Sequence, residues 1–247
     1  MDMHDGSHRH CLRNILHEPL SNQPRQSHLD AVKHIFGYLK RFKTRGIVIN
    51  PGTPKFYNKG YETPDFKEDF GHQYKYFKEN INDKFPKPLV KGLNTTFFSD
   101  SDHGHDKVTG RSITAILGMV GNTPVIARTT RQACVQTSTY GAELTALKST
   151  IEEVIELRYY LRSMGVEFTE ATPVYVDNEG AVLSTTNPAS PLNKKALALA
   201  YHFAQEHQHG KVVCIRKIHT KDNFADAMSK SLGPQDHNRF FRELMMF

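Results

Sequence analysis

Acidic residues crowd one short stretch of the chain, FFSDSDHGHD at residues 97–106, and three further acids stand in comparable places downstream. These are Glu143 in QTSTYGAEL, Asp177 in YVDNEGAV and Asp226 in KDNFADAMSK. Carboxylates that meet at one point repel one another unless cations join them, and hard divalent ions such as Mg²⁺ and Mn²⁺ prefer carboxylate and water oxygens. Two such ions can clamp the attacking water and the leaving oxygen of a phosphodiester. The acids therefore predict a metal site suited to phosphodiester hydrolysis.

The pattern around residues 92–165 predicts the elements that position the first two acids. TTFFSD, SITAILGMV and TPVIART are three short β-rich runs separated by turn signals, which predicts an antiparallel meander with Asp100 at the end of its first strand. STYGAELTALKSTIEEVIELRYYLRSMG carries apolar residues along one helical face and ends at Gly165. Glu143 is expected in the first turn of this long helix.

Strands and helices alternate over the rest of the chain. PVYVD and KVVCIRKI predict a fourth and a fifth strand, and EGAVLSTT, LNKKALALAYHFAQEHQHG and DNFADAMSKSL predict helices. Asp177 ends the fourth strand and Asp226 begins the last helix. We therefore expect an α/β fold with a five-stranded mixed sheet, three antiparallel strands followed by parallel strands, flanked by helices. Strand ends and helix starts on one side of such a sheet are where ligand sites lie.

The N-terminal part of the chain has a different pattern. SHLDAVKHIFGYLKRFKTRG has helical spacing from Ser27, and GIVIN predicts a short strand. Residues 51–91 are aromatic, charged and interrupted by prolines, without a period, which indicates an irregular linker or insertion. We predict a first segment over residues 1–50, this linker over 51–91, the α/β domain over 92–235 and a tail over 236–247.

Charge and composition exclude several classes of protein. The net charge of +6 belongs to residues 1–95, where 16 lysines and arginines face 10 acids, whereas the rest has 16 of each. A basic part beside a neutral one suits a polyanion, although solvated lysines explain the excess equally well. No apolar run approaches the roughly 18 residues of a membrane span. Three distant cysteines without a C-x-x-C spacing predict neither a disulfide framework nor a zinc finger. We expect a protein that is neither secreted nor bound to a membrane.

Spacing alone leaves a second interpretation of the acids open, because aspartates at strand ends and glutamates near helix starts are also common caps. The order of the motifs along the chain is a second observation that bears on these acids. SDSDHGHDKVTGRS, QTSTYGAEL, YVDNEGAV and KDNFADAMSK resemble, in this order, the ribonuclease H domain of copia-type retrotransposon polyproteins, over residues 96 to about 232. Upstream, HLDAVKHIFGYLKRFKTRGI resembles the end of the reverse transcriptase region of the same polyproteins.

The resemblance implies a ribonuclease H-like fold and hydrolysis of the RNA strand of an RNA/DNA hybrid with two Mg²⁺ or Mn²⁺ ions. It implies that Asp100 bridges both ions, that Glu143 and Asp177 hold one ion, and that Asp226 completes the shell of the other. His219 matches a histidine that assists product release in some members, or is a loop histidine without a role. The implied location is a cytoplasmic virus-like particle or the nucleus.

The implied partners are the RNA/DNA hybrid and the reverse transcriptase domain of the same element, without a small-molecule cofactor. Candidate contacts to the hybrid are Arg128, Arg131 and Tyr140, which lie close in sequence to Glu143. Lys194 and Lys195 are candidates for a phosphate contact, and adjacent loop lysines also often contact only solvent. Asp102 points to the same face as Asp100 if the strand continues, and it is expected to support the site or to lie in the turn. Because the chain has no Y-x-D-D tetrapeptide, polymerase activity is not predicted.

Two departures from the resemblance are visible. Many relatives carry Trp where this chain has Ala127, and His where it has Ala196. We expect Ala127 at a core or site-wall position, where the loss of such a ring costs roughly 3 to 5 kcal/mol. An alternative hypothesis follows: a catalytically silent remnant that at most binds nucleic acid. A nuclease of the integrase or exonuclease type is a third, and the Asp, Glu, Asp, Asp order argues against it.

Overall fold

The computed structural model describes residues 26–41, 43–44, 46–50, 52, 74–187, 190–192, 195–230, 235–236 and 239–240. The chain divides into two compact units, residues 1–48 together with 230–247, and residues 49–229. In the first unit, helix α1 spans Gln26–Arg41, as the sequence predicts, and ends with Lys40 and Arg41 in its last turn. Within the described parts of the chain, every helix is too short or too polar to cross a membrane.

The predicted strand GIVIN is wrong. Ile47 forms an isolated β-bridge and residues 48–50 are irregular. The main chain of Asn50 bonds instead to the turn before a hairpin strand: the amide of Asn122 donates to the Asn50 carbonyl at 2.8 Å, and the Asn50 amide donates to the Thr123 hydroxyl at 2.8 Å. Among the described residues, the run therefore forms one bridge and one pair of turn contacts and does not form a ladder.

The second unit contains two sheets and four α-helices among its described residues. Its strands are β1 (Val90–Lys91), β2 (Thr95–Asp102), β3 (Ile113–Val120), β4 (Thr123–Arg131), β5 (Val166–Glu167), β6 (Thr172–Val176) and β7 (Val213–Lys217). Its helices are α2 (Thr139–Ser163), α3 (Glu179–Thr186), α4 (Ala198–His209) and α5 (Asp226–Ser229). Each predicted strand and helix downstream of residue 92 is present, although α5 is only four residues long.

The main sheet has the strand order β4-β3-β2-β6-β7. β2, β3 and β4 are antiparallel neighbours, whereas β6 is parallel to β2 and β7 is parallel to β6. The predicted fold class is therefore confirmed. The short strands β1 and β5 form a separate parallel pair.

Strand β2 is the centre of the sheet and is buried on both faces. Phe97 lies in the main core, formed mostly by α2, α3, α4 and the strands beneath them. Phe98 lies on the opposite face, where its ring stacks on Tyr175 at 5.4 Å and meets Phe224 edge-on at 5.1 Å between ring centroids. Because both faces are covered, the run TTFFSD does not show the polar alternation of a half-exposed strand.

Strand β4 is an edge strand, and this position overturns the expectation that Ala127 lies in the core. Its side chain is exposed, and a place in a site wall stays a prediction. The absence of a large ring there creates no core cavity, because solvent already reaches the position. Ala196 is also exposed, in the 3-10 turn Lys195–Leu197 that precedes α4.

Residues 74–91 of the second unit pack against its helices, although they form neither an α-helix nor a strand before β1. The Tyr74 hydroxyl lies 2.6 Å from Nδ1 of His202 and donates to the side chain of Gln205 at 3.1 Å. Phe77 contacts the ring of His207, with ring centroids 4.8 Å apart. The predicted segment boundaries at residues 50, 91 and 235 stay a prediction.

Glu79 anchors this segment to α2. Its two carboxylate oxygens accept a bidentate pair of hydrogen bonds from Arg158, each 2.9 Å long, and a second pair from Arg162. Arg158 also donates to the Glu170 carbonyl and the Thr172 hydroxyl, both at 3.1 Å, so its buried guanidinium donates four hydrogen bonds in all. Burial raises the pKa of Glu79, but the hydrogen bonds and charges of Arg162 and Arg158 outweigh burial and lower that pKa to about 2.

We predict that Glu79→Gln lowers the free energy of unfolding by about 3 kcal/mol, because it leaves a buried guanidinium without its counter-charge. Chemical denaturation of both proteins at pH 7 measures the loss. Glu152→Gln is the control, since Glu152 pairs with Lys148 on the exposed side of the same helix and such pairs contribute roughly 0 to 1 kcal/mol. Equal losses in the two variants would contradict the anchoring role of Glu79.

The same ion pair predicts a pH dependence. The pKa of Glu79 is about 2 in the folded chain and 4.5 for a free carboxyl group. Between these two pH values the carboxyl group is protonated in the unfolded chain but not in the folded one. The stabilisation is complete above pH 4.5 and is lost as the pH falls towards 2, by about 3 kcal/mol in all. The difference in unfolding free energy between the native chain and Glu79→Gln should shrink over this window. A constant difference would show that the carboxylate charge is not the cause.

Candidate metal centre

The register between β2 and β6 places two of the predicted acids side by side. The strands are parallel, with Phe97 opposite Val174 and Ser99 opposite Val176. One step further along each strand brings Asp100 beside Asp177, which is the first residue after β6. Asn178 then caps α3, with its side chain accepting the amide hydrogen of Ala181 at 3.0 Å.

Helix α2 brings the third acid to the same place. Its N-cap is Ser138, so Glu143 is the fifth helical residue and lies in the second turn, not in the first turn as predicted. The Thr150 hydroxyl donates to the Ser99 hydroxyl at 2.9 Å and fixes the helix against β2. Glu143 precedes Thr150 by two turns, so both share one helix face, with Glu143 about 10 Å nearer the N-terminus. This spacing carries Glu143 past the end of β6.

Asp100, Glu143 and Asp177 form a group of carboxylates whose facing oxygens all lie within 4.8 Å of one another. Asp100 and Glu143 are buried, at 1% and 6% exposure, and Asp177 is half-buried. Three negative charges that are buried this close together destabilise the fold unless a cation binds between them. The donor set consists of carboxylate oxygens, with neither thiolate nor imidazole, and therefore suits a hard divalent ion.

The fourth predicted acid, Asp226, begins α5 as expected but is not one of the three clustered carboxylates. The preceding residues hold α5 against β2: the Asn223 side chain donates to the Ser99 carbonyl at 3.0 Å, and Phe224 packs on Phe98. Ser229, one turn after Asp226, donates its hydroxyl hydrogen to Oδ2 of Asp100. Helix α5, which carries Asp226, therefore contacts the three clustered carboxylates through Ser229.

The sequence interpretation missed Ser229. The signal was present, because the A-D-x-x-S/T-K pattern that identifies Asp226 also contains this hydroxyl residue, in ADAMSK. A pattern does not say which side chain a hydroxyl meets, so only the packing of α5 on β2 shows its partner, Asp100.

The turn after Asp100 is an ordered loop. Strand β2 continues to Asp102, whose carboxylate contacts Nδ1 of His105 at 2.8 Å. Asp106 accepts hydrogen bonds from the hydroxyl and amide of Thr109, from the amide of Val108 and from Arg131. These bonds, led by that of the Thr109 hydroxyl, hold the pKa of Asp106 well below its usual range.

The predicted contact residues lie in different surroundings. Tyr140 is half-buried against the main core, and its ring approaches Gly180 at the start of α3. Arg128 forms an ion pair with Glu153 of α2, and Arg131 pairs with Asp106 at 3.0 Å.

The remaining candidates lie in loops. His219 is exposed in the loop after β7, and its ring accepts the amide hydrogen of Lys221 at 3.1 Å. Lys195 is exposed at the start of the turn before α4, and Lys194 lies outside the described residues.

Comparison of sequences identifies relatives of this chain. No family model matches it. It is 23% identical over 212 residues to the "Retrovirus-related Pol polyprotein from transposon RE1" of Arabidopsis thaliana, which covers 86% of this chain. It is 27% identical over 158 residues to the "Retrovirus-related Pol polyprotein from transposon TNT 1-94" of Nicotiana tabacum, which covers 64% of this chain. The chain spans about 12% and 11% of the lengths of these two relatives. The predicted resemblance to retrotransposon Pol polyproteins is confirmed.

Comparison with solved structures gives alignments to ribonucleases H. RNase H1 from the archaeon Halobacterium salinarum NRC-1 aligns with a TM-score of 0.42 and 16% identity, over 55% of this chain and 94% of that one. LC11-RNase H1, solved in complex with an RNA/DNA hybrid, aligns with a TM-score of 0.43 and 12% identity, over 54% and 92%. Likeness at this level carries no argument by itself, and the fold rests on the observed strand order and register.

We predict that Mn²⁺ raises the melting temperature of the native chain and that Glu143→Gln removes this rise. Repulsion among the three carboxylates destabilises the metal-free chain, so in EDTA the variant should be at least as stable as the native chain. At a Mn²⁺ concentration 100 times its Kd, the native chain should gain about 2.7 kcal/mol, or about 5 to 10 °C. Calorimetry with and without Mn²⁺ measures both effects.

Glu156→Gln is the matched control for this prediction. Glu156 is exposed on the same helix, where it accepts a hydrogen bond from the Tyr160 hydroxyl at 3.0 Å. This variant should keep the full rise in melting temperature. A rise that Glu143→Gln retains, or that Glu156→Gln loses, would mean that the ion binds elsewhere.

Proposed function

We propose that this chain, a relative of retrovirus-related Pol polyproteins, is a divalent-metal-dependent ribonuclease H that hydrolyses the RNA strand of RNA/DNA hybrids. The observation that carries the proposal is the group formed by Asp100, Glu143 and Asp177, with oxygens within 4.8 Å of one another at the end of the central strands. Its members come from three motifs that are far apart in the chain and that stand in the order of the ribonuclease H domain of copia-type polyproteins. Acids that only capped their own strands or helices would not be expected to lie this close together.

The donor set fits Mg²⁺ or Mn²⁺, with Asp100, Glu143 and Asp177 as ligands and Asp226 as the fourth acid, for two ions in all. Bound ions would activate the attacking water and stabilise the charge that develops on the scissile phosphate. Asp100 is central to the group: it is the most buried acid, the neighbour of Asp177 across the strand pair, and the acceptor of the Ser229 hydroxyl. The hydrogen bond from Ser229 fixes the direction of this carboxylate.

The sides of the acidic group offer contacts for a hybrid. Tyr140 stands one turn before Glu143, and its half-buried ring gives a rigid surface for a sugar. Arg128 and Arg131 are exposed on β4, and each exchanges its pair with a half-buried acid for a phosphate contact when the hybrid binds. Lys194 and Lys195 are further phosphate contacts, and His219 assists product release. Recognition is by the shape of the backbone and by 2′-hydroxyl groups, not by base sequence.

This activity belongs to reverse transcription by a retrotransposon. The reverse transcriptase domain of the same element is the protein partner, and a cytoplasmic virus-like particle or the nucleus is the location. The similarity of this chain to Pol polyproteins of transposons supports this context.

The silent-remnant alternative loses part of its support. It depended on a missing ring at Ala127 in the core or the wall of the site, and exposure on the edge strand β4 excludes a core cavity at this position. All four acids are present in the sequence, and three of them converge. No specific observation therefore favours a remnant over an active nuclease.

We predict that the native chain cleaves the RNA of a labelled RNA/DNA hybrid in Mg²⁺ or Mn²⁺ and leaves 3′-hydroxyl and 5′-phosphate ends. Asp100→Asn should lower the rate by more than about 100-fold, since loss of a ligand exceeds the effect of losing a residue that only supports one. Gel analysis of the cleaved strand measures both.

Asp83→Asn serves as the matched control for this experiment, because Asp83 is an exposed acid in the segment before β1. Its rate should equal that of the native chain. A folded chain that binds the hybrid without cutting it would favour the remnant. Equal cleavage of double-stranded DNA would favour a nuclease of the integrase or exonuclease type.

A further inference from the structure

Gln132 is a buried polar residue at the junction between the meander and helix α2. It follows β4 directly and has 5% exposure. The main-chain N–H of Gln132 donates to the Ser112 carbonyl at 2.8 Å, which fixes the main chain beside the start of β3. The residues that follow, 133–138, are exposed or half-buried, so Gln132 is the last buried residue before α2 begins.

The side chain of Gln132 bridges two elements. Its Nε2 group donates one hydrogen to the Thr114 hydroxyl of β3 at 3.0 Å and the other to the carbonyl of Ala142 at 2.9 Å. Ala142 ends the first turn of α2 and immediately precedes Glu143. A main-chain carbonyl can accept a second hydrogen bond in addition to its bond within the helix. The glutamine therefore ties the sheet to the peptide group that carries Glu143.

This hydrogen bond joins the sheet to α2 at Ala142, directly beside Glu143. Thr150 fixes α2 to β2, but it lies two turns beyond Glu143. At the start of the helix, the Ser138 hydroxyl accepts the amide hydrogen of Gly141, within the first turn, at 3.2 Å. Glu143 lies beside two like charges, which push it away from the sheet. A tie at Ala142 opposes this displacement.

Packing alone does not account for a glutamine at this position. Its Oε1 atom is buried and accepts no hydrogen bond from any residue that the structure describes. A buried acceptor without a donor destabilises the fold, whereas a methionine would fill a similar volume without that cost. The two hydrogen bonds of Nε2 must therefore contribute something that an apolar side chain cannot.

We propose that Gln132 is a positioning residue that holds Glu143 in place to bind the divalent ion. The inference rests on the proposed function, because it needs Glu143 to be a ligand. Residues that orient metal ligands typically change metal affinity or activity by roughly 10- to 100-fold when they are replaced. The carbonyl of Ala142 is the point through which Gln132 acts on its neighbour.

The test compares Gln132→Met with the native chain in two independent measurements. Titration with Mn²⁺, followed by electron paramagnetic resonance of the free ion, gives the affinity of the site without any cleavage. Hybrid cleavage in single turnover then gives the rate and its dependence on Mn²⁺ concentration. We expect Mn²⁺ to bind about tenfold more weakly. The concentration for half-maximal rate should rise by the same factor, with the KM for the hybrid unchanged.

Gln205→Met is the matched control. Gln205 has 2% exposure, and its Nε2 group also donates to a main-chain carbonyl, that of Ser184, at 2.9 Å. Its contacts, which include Tyr201 and Tyr74, involve none of the four acids. This substitution should destabilise the fold by a similar amount but leave Mn²⁺ affinity unchanged. If Gln132→Met does not fold, Gln132→Asn, whose side chain is too short to span Thr114 and Ala142, takes its place.

The outcomes separate the inference from the function on which it rests. Weaker Mn²⁺ binding in the Gln132 variant but not in Gln205→Met supports the positioning role. Unchanged affinity in the Gln132 variant, or an equal loss in both variants, overturns it while the proposed function stands. If the native chain binds no Mn²⁺ at these acids, as judged against Asp100→Asn, both proposals fail together.

Discussion

Electrostatic repulsion among three carboxylates is the constraint to which the rest of the second unit is fitted. Asp100, Glu143 and Asp177 would separate if they stood on flexible segments, because each gains solvent and distance by moving away. The fold opposes this with main-chain contacts. The register of two parallel strands fixes Asp100 beside Asp177, and a long helix packed on the sheet fixes Glu143. The stability of the sheet and helix therefore supplies the energy that keeps the like charges together.

Both faces of the sheet take part in this arrangement. The main core holds α2 and thereby Glu143, while the aromatic cluster of Phe98, Tyr175 and Phe224 holds the segment that ends in α5. Because the central strand is covered on both sides, Asp100 is almost fully removed from solvent. A buried carboxylate interacts more strongly with a cation than an exposed one does, because less water screens the charges.

Carboxylates lie at both ends of helix α2, in two different surroundings. Near its C-terminus, Arg158 and Arg162 bind the carboxylate of Glu79 and lower its pKa, which secures residues 74–91 to the fold. Near its N-terminus, Glu143 lies among other carboxylates. The first arrangement is neutralised within the chain and serves stability. The second is a group of like charges that suits a cation. The stability that the Glu79 ion pairs provide helps to offset the repulsion around Glu143.

The sequence by itself determined the strands and helices downstream of residue 92, the mixed sheet and the three acids that converge, because hydrophobic periods and motifs can be recognised along the chain without its fold. It was wrong about the strand at GIVIN, the turn that contains Glu143 and the burial of Ala127. It also did not reveal the hydrogen bonds that Ser229 and Gln132 make near the acids. Each of these depends on which neighbour an element meets and in what register. Only the tertiary structure decided them, because distant residues supply the partners and a local pattern contains no information about its partner.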